Sequence, residues 1–267
     1  MTHRTLLTLL AILLLAACPE DGTLGDDDDS AASGDDDDAV GDDDDTAPPA
    51  DQVTITTDDG LTLTGVWRAP VVTTGLPAVL LLHQYARDHN DFNLLLDGFA
   101  EAGIATLALD LRSHGDSDPA TVPFGDLLTD PTQLPEDARA GLAWIQSQDD
   151  VDAARVGVMG LSVGANLAVV ANHNRVAWGV KTTVVVSANM ERAQDLAGTT
   201  TLDLASSIYI AADLEQPQAD HADALGAITA DPVDVRRVGG TSAHGVDLIT
   251  GSADVRAGAV GWFVTNL

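Results

Sequence analysis

Cysteine is almost missing. Cys18 stands alone in 267 residues, so no intrachain disulfide can form, and it lies outside the part of the chain that alternates strands and helices. Lysine is equally scarce, and the single Lys181 weakens any mechanism built on a lysine amine. Aromatics are 4% of the chain against 45% hydrophobic residues overall, so the core must be built from Ala, Val and Leu. Basic residues are few: 12 Lys and Arg against 42 Asp and Glu give a net charge of -30. Such a balance favours solubility and disfavours nucleic acid and anionic membrane surfaces as partners. No His/Cys set has zinc spacing, no Gly-rich loop carries the phosphate-binding Lys, and no dinucleotide fingerprint has its later acid. Neither a metal nor a cofactor is expected.

The N-terminus reads as an address and an anchor. Met1 to Arg4 is short and basic, and Leu6 to Ala17 is apolar apart from Thr8. That run is too short to span a bilayer and suits a signal-peptide core. It ends in Leu15-Ala16-Ala17-Cys18, which resembles the lipobox of bacterial lipoproteins. The resemblance implies a signal peptide over 1–17, acylation of Cys18, and a membrane association made through the lipid alone. Several acyl chains anchor stably where one is marginal. Pro19, where an Asp would favour inner-membrane retention, leans the expectation toward the outer membrane of a Gram-negative cell. Residues 18–50 carry three Gly-Asp-Asp-Asp-Asp blocks. Like charges repel and almost nothing there can be buried, so an extended tether is expected. The domain that follows is acidic in its own right: 14 of the 42 acids fall between Glu20 and Asp45, leaving 28 against 11 bases from Asp51 onward.

From 51 to 267 the pattern is regular. Val53 to Thr56 and Leu61 to Trp67 alternate apolar and polar around an Asp59-Gly60 turn, an antiparallel hairpin. Apolar runs at Ala78–Leu82, Ile104–Leu109, Val156–Met159, Thr182–Val186, Ile208–Ala211 and Val233–Val238 read as strands. Helical periodicity covers Phe92–Ala102, Asp137–Gln148, Val163–Asn172, Ala219–Ile228 and Ala253–Val264. A hairpin followed by repeated strand–helix units predicts an α/β domain, its sheet mostly parallel with helices on both faces.

Gly160-Leu161-Ser162-Val163-Gly164 follows a buried strand and opens a helix, the context of a nucleophile elbow. A serine needs a base. His173 follows the elbow too closely to return to it, and His221 begins another helix. His244 lies in the small-residue loop Gly239 to Gly245 between the last strand and the last helix, where α/β catalytic groups converge.

Four stretches make the chain resemble the α/β-hydrolase superfamily, nearest its dienelactone-hydrolase-like branch: Leu81 to Tyr85, Asp110 to Ser117, Val151 to Gly164 and Gly240 to Leu248. The resemblance implies a serine hydrolase acting on a small ester, lactone, thioester or amide without a cofactor. It makes Ser162 the nucleophile and His244 the base, with oxyanion donors at the backbone N–H of Val163 and of Tyr85. Gln84 stands where the family usually has Gly. The acid is expected just past the strand at Ile208–Ala211, where Glu215 fits the family's spacing and Asp213 is the alternative. His83 is expected to shape its loop, and Asp110, Arg112 and His114 to form a buried network. The tryptophans are read as packing, and 118–135 as a loop over the site. An ester-cleaving enzyme is the primary expectation. A peptidase of the same fold and a non-catalytic surface lipoprotein are the alternatives.

Overall fold

The computed structural model describes residues 51–71 and 74–267. The expected signal segment, Cys18 and the Asp-rich stretch lie outside the described residues.

The eight strands are β1 (Gln52–Thr56), β2 (Thr62–Arg68), β3 (Leu76–Leu82), β4 (Ala105–Leu109), β5 (Val151–Leu161), β6 (Thr182–Val186), β7 (Leu204–Ala212) and β8 (Thr229–Val238). They form one sheet in the order β1-β2-β4-β3-β5-β6-β7-β8. The β1–β2 and β2–β4 pairs are antiparallel and the rest parallel. The α/β architecture is that of an α/β-hydrolase sheet.

The helices are α1 (Asn93–Glu101), α2 (Phe124–Leu127), α3 (Leu134–Gln146), α4 (Val163–His173), α5 (Arg175–Trp178), α6 (Met190–Ala197), α7 (Gln218–Ile228), α8 (Val246–Gly251) and α9 (Ala253–Asn266). Every residue of β3 is buried. Successive side chains on a strand point to opposite faces. Ala78, Leu80 and Leu82 accordingly join a core with Leu142 and Ile145 of α3 and Leu167 and Val170 of α4. Val79 and Leu81 join a second core with Leu95 and Phe99 of α1 and Phe263 of α9. Helices therefore cover both faces, and the parallel strands send their carboxyl ends to one edge.

That edge is where the chain's polar groups are spent. Arg112 is buried and pairs with Asp137 at 2.7 Å and Asp59 at 2.8 Å. Asp110, also buried, accepts from the backbone and ring of His89, at 2.7 and 2.9 Å. The Asp110-to-His114 motif, expected as one network, thus holds two: Arg112 ties the β4 loop to α3 and the hairpin turn, while Asp110 ties it to the segment after β3. Among the described residues no helix is long and apolar enough to cross a membrane.

Candidate active site

The strand β5 feeds straight into Ser162, whose φ of 53° and ψ of -108° turn the chain sharply into α4. A positive φ is costly for any residue but Gly and persists only where its surroundings enforce it. Here both flanks do. The Ser162 N–H bonds Val186 O at 2.9 Å, continuing the sheet, and Ser162 O receives the first helical bond, from Asn166 N at 3.1 Å. The glycines leave the needed room. A Cβ on Gly160 would lie 1.9 Å from Gly164 O, and one on Gly164 would lie 2.0 Å from Leu82 O.

Ser162 Oγ lies 2.7 Å from His244 Nε2. His244 Nδ1 lies 2.5 Å from Glu215 Oε1. Three residues from three separate loops thus make one continuous hydrogen-bonded chain. Glu215, 6% exposed, is held from behind. Its Oε2 accepts from Ser187 Oγ at 3.0 Å and from Ala212 N at 3.3 Å. Ser187 follows β6, is buried, and takes a φ of 60°. Its hydroxyl oxygen also accepts Gly245 N–H at 2.9 Å.

Asp213 is placed otherwise. Its carboxylate accepts from Gly240 N at 3.0 Å and Thr241 N at 3.3 Å, bonds that hold it below the usual carboxylate range. It shapes the loop that carries His244 without touching the imidazole's partners.

The loop after β3 faces the same edge. His83 is buried, with Nδ1 2.7 Å from Gln84 O and Nε2 3.0 Å from Leu111 N. The Leu111 N–H can only donate, so Nε2 is the bare nitrogen and Nδ1–H donates to the carbonyl. Burial favours this neutral form and pushes the His83 pKa down to about 4. In a trans peptide the C=O and the following N–H point opposite ways. By binding the Gln84 carbonyl, His83 fixes the direction of the Tyr85 N–H. Gln84 Oε1 accepts Val246 N–H at 2.9 Å, joining this loop to the His244 loop. Val163 opens α4, so its N–H belongs to the helix's unpaired first turn.

Other histidines are spent on loops: His173 Nδ1 bonds Asp203 N at 3.0 Å, and His221 Nδ1 bonds Met190 N at 3.3 Å. Asp220 sits in the first turn of α7, while Asp223 pairs with Arg237 at 2.6 Å. Trp67 and Trp144 pack edge to face, 5.3 Å apart. Ser187 was invisible to sequence reasoning. A small polar residue at the carboxyl end of a buried strand was its only signal. Among the described residues no group of three or more His, Cys, Asp and Glu is placed to hold a metal ion.

The sequence profile of the X-Pro dipeptidyl-peptidase (S15) family matches residues 59–238. The chain belongs to that family. The match takes in Ser162 and Glu215 and ends ahead of His244. An uncharacterized protein of Mycobacterium tuberculosis is 34% identical over 118 residues, 44% of this S15-family chain and 39% of that protein. An uncharacterized 31.7 kDa protein of Escherichia coli is 31% identical over 107 residues, 40% of this chain and 35% of that one. The chain spans less than two fifths of the length of these curated relatives.

Among solved structures, an esterase of Pyrococcus furiosus superposes with a TM-score of 0.62 at 16% identity, covering 80% of this chain and 92% of that one. A dienelactone hydrolase from Anabaena variabilis gives 0.60 at 18%, covering 80% and 96%. A thermophilic carboxylesterase from a metagenomic library gives 0.62 at 18%, covering 82% and 90%. At such identities the likeness speaks to the fold, which is that of the α/β-hydrolase superfamily.

Proposed function

We propose that this S15-family chain is a serine hydrolase that cleaves a small carboxylic ester, lactone or thioester through an acyl-enzyme. The observation that carries the reading is the unbroken chain from Ser162 Oγ through His244 to Glu215, with contacts of 2.7 and 2.5 Å. Ser162 Oγ attacks the substrate carbonyl carbon as its proton passes to His244 Nε2. Glu215 holds the imidazole in the tautomer with hydrogen on Nδ1 and stabilises the imidazolium. The carbonyl oxygen, now an anion, accepts from the Val163 and Tyr85 N–H groups. Collapse breaks the bond to the leaving oxygen or sulfur, which takes the proton from Nε2. Water then repeats the sequence on the acyl-serine, giving the acid and free Ser162. No step calls for a cofactor or metal.

Ester over peptide is favoured by the connections around the site. Among the described residues they carry no added folded unit, only α6 within Ser187 to Asp203 between β6 and β7 and α2 within 110–133 ahead of α3. They suit a compact substrate better than an extended chain. The family match favours the second reading, release of an X-Pro dipeptide, which the same chemistry would serve. One panel decides: nitrophenyl acetate and butyrate beside an X-Pro nitroanilide, on wild type and Ser162→Ala. Ester turnover that needs Ser162, exceeding anilide turnover, fits the proposal. Anilide preference moves the function to peptides. Equal turnover by the variant contradicts both.

The working location follows from residues 1–50. We propose that Cys18 is acylated and tethers the domain outside the cytoplasm by its lipid alone, at the outer membrane in a Gram-negative cell.

A further inference from the structure

Two of the chain's few aromatics are spent on the surface. Tyr85 is 46% exposed and Phe124 45%, yet their rings lie 4.3 Å apart at 38°. The edge of His114 meets Tyr85 at 5.5 Å. These rings line a cavity of about 350 Å³. The loop after β3 gives Tyr85 and Ala86, the loop after β4 gives His114, and the segment around α2 gives Val122, Phe124 and Leu127. Ala86 and Ser113, both on its wall, hold φ values of 58° and 65°. Two strained non-glycine residues mark loops fixed by their surroundings, a pattern common at binding sites. No Asp, Glu, Lys or Arg lines the cavity. At that volume it falls at the small end of ligand pockets, wide enough for one ring and its linker.

We propose that this cavity is the acyl subsite and that it takes an uncharged aromatic acyl group. The inference rests on Ser162 being the nucleophile. Once the carbonyl oxygen faces the Val163 and Tyr85 N–H groups, the leaving group must face His244 Nε2 to receive its proton. Glu215 and the His244 loop follow β7 and β8, which lie beyond β5 on one side. The acyl substituent is directed to the other side, toward β3 and β4, where Tyr85 borders the cavity. An aryl ring there continues the Tyr85–Phe124 stack and covers apolar surface now exposed to water. An anionic acyl group would find no Lys or Arg in the lining, in a domain that carries 28 acids against 11 bases from Asp51 onward.

The test keeps nitrophenol as leaving group and varies the acyl part: acetate, butyrate, phenylacetate and the anionic hemisuccinate. Variants are Phe124→Ala, which removes an exposed ring, and Val122→Trp, which fills the cavity; thermal midpoints confirm folding. Wild type should prefer phenylacetate over acetate in kcat/KM by about tenfold and reject hemisuccinate. Phe124→Ala should lower the phenylacetate-to-acetate ratio about fivefold, and Val122→Trp should abolish the preference. A flat acyl panel with turnover still dependent on Ser162 overturns the subsite and leaves the proposed function standing. So does a ratio that neither variant changes. A second series of acetates, with alcohols from ethanol to benzyl alcohol, checks the side: if Phe124→Ala moves that series instead, the acyl assignment is wrong. Failure of every ester overturns the ester reading and this inference with it.

Discussion

Ser187 donates its hydroxyl hydrogen to Glu215 Oε2 at 3.0 Å, and the Ser187 Oγ itself accepts Gly245 N–H at 2.9 Å. One buried hydroxyl thus sets the distance between Glu215 and the loop that carries His244. A hydrogen bond to a charged group contributes about 1.5–3 kcal/mol. Ser187→Ala should lower kcat/KM on an activated ester about ten- to hundredfold, with KM moving little. Steady-state kinetics beside a melting curve check this. A fall in thermal midpoint without loss of turnover would make Ser187 a purely structural residue.

The two carboxylates past β7 have different work. Glu215 meets the His244 ring, whereas Asp213 meets the Gly240 and Thr241 amides. Glu215→Gln should cut turnover on the order of a thousandfold or more, since the amide favours the wrong tautomer of the base. Asp213→Asn should stay within about tenfold of wild type, because the amide oxygen can still accept from the loop amides. The pair is assayed on one nitrophenyl ester. The reverse ranking would make Asp213 the acid.

His83 gives the fold a pH signature. Burial holds its folded pKa near 4, below the ordinary 6.5. Above 6.5 both folded and unfolded chains carry it neutral and it contributes no pH dependence. Between 6.5 and 4 the unfolded chain takes up a proton that the folded chain refuses. Stability therefore falls as pH drops through that window, by about 3 kcal/mol in all. Denaturant unfolding of wild type and His83→Gln at pH 7, 6, 5 and 4 measures it. The variant's stability should fall less steeply over that range, and parallel curves would mean that His83 is not held neutral.

The N-terminal proposal has its own test. Cys18→Ser should move the protein from the membrane to the soluble fraction, since a cleaved apolar run leaves nothing to anchor the chain. Mass spectrometry of the mature N-terminus should find acyl groups on Cys18 in wild type. A mature chain that begins elsewhere, without lipid, contradicts it.

Much of the fold was legible because it is written locally. The runs at Thr182–Val186 and Leu80–Leu82 are buried on both faces, so continuous apolar sequence marks them. The Ser162 turn announces itself through two glycines that a Cβ would jam. Boundaries fared less well. Helix α3 begins at Leu134 and not at Asp137, because Pro135 fits a first turn, where no N–H is needed. Helix α6 is not legible in the sequence: only Ala193 and Leu196 of its eight residues are buried, too thin a stripe for periodicity. Its ends were nevertheless signed by the Asn189 cap and by Gly198 at a φ of 64°. Contacts across strands were out of reach. Asp110 and Arg112 lie two residues apart and look like partners, yet each finds its charge elsewhere in the chain. Ser187 gains its role only when β6, β7 and the loop after β8 meet.

Covalent labelling distinguishes a Ser162 activated by His244 and Glu215 from an inert surface serine. A fluorophosphonate probe is incubated with wild type, Ser162→Ala and Glu215→Gln, and the adduct is located by peptide mass spectrometry. One adduct per wild-type chain is expected on Ser162, none on Ser162→Ala, and strongly slowed labelling on Glu215→Gln. Labelling of folded Ser162→Ala at the wild-type rate, or a wild-type adduct on any other residue, would contradict Ser162 as the activated nucleophile.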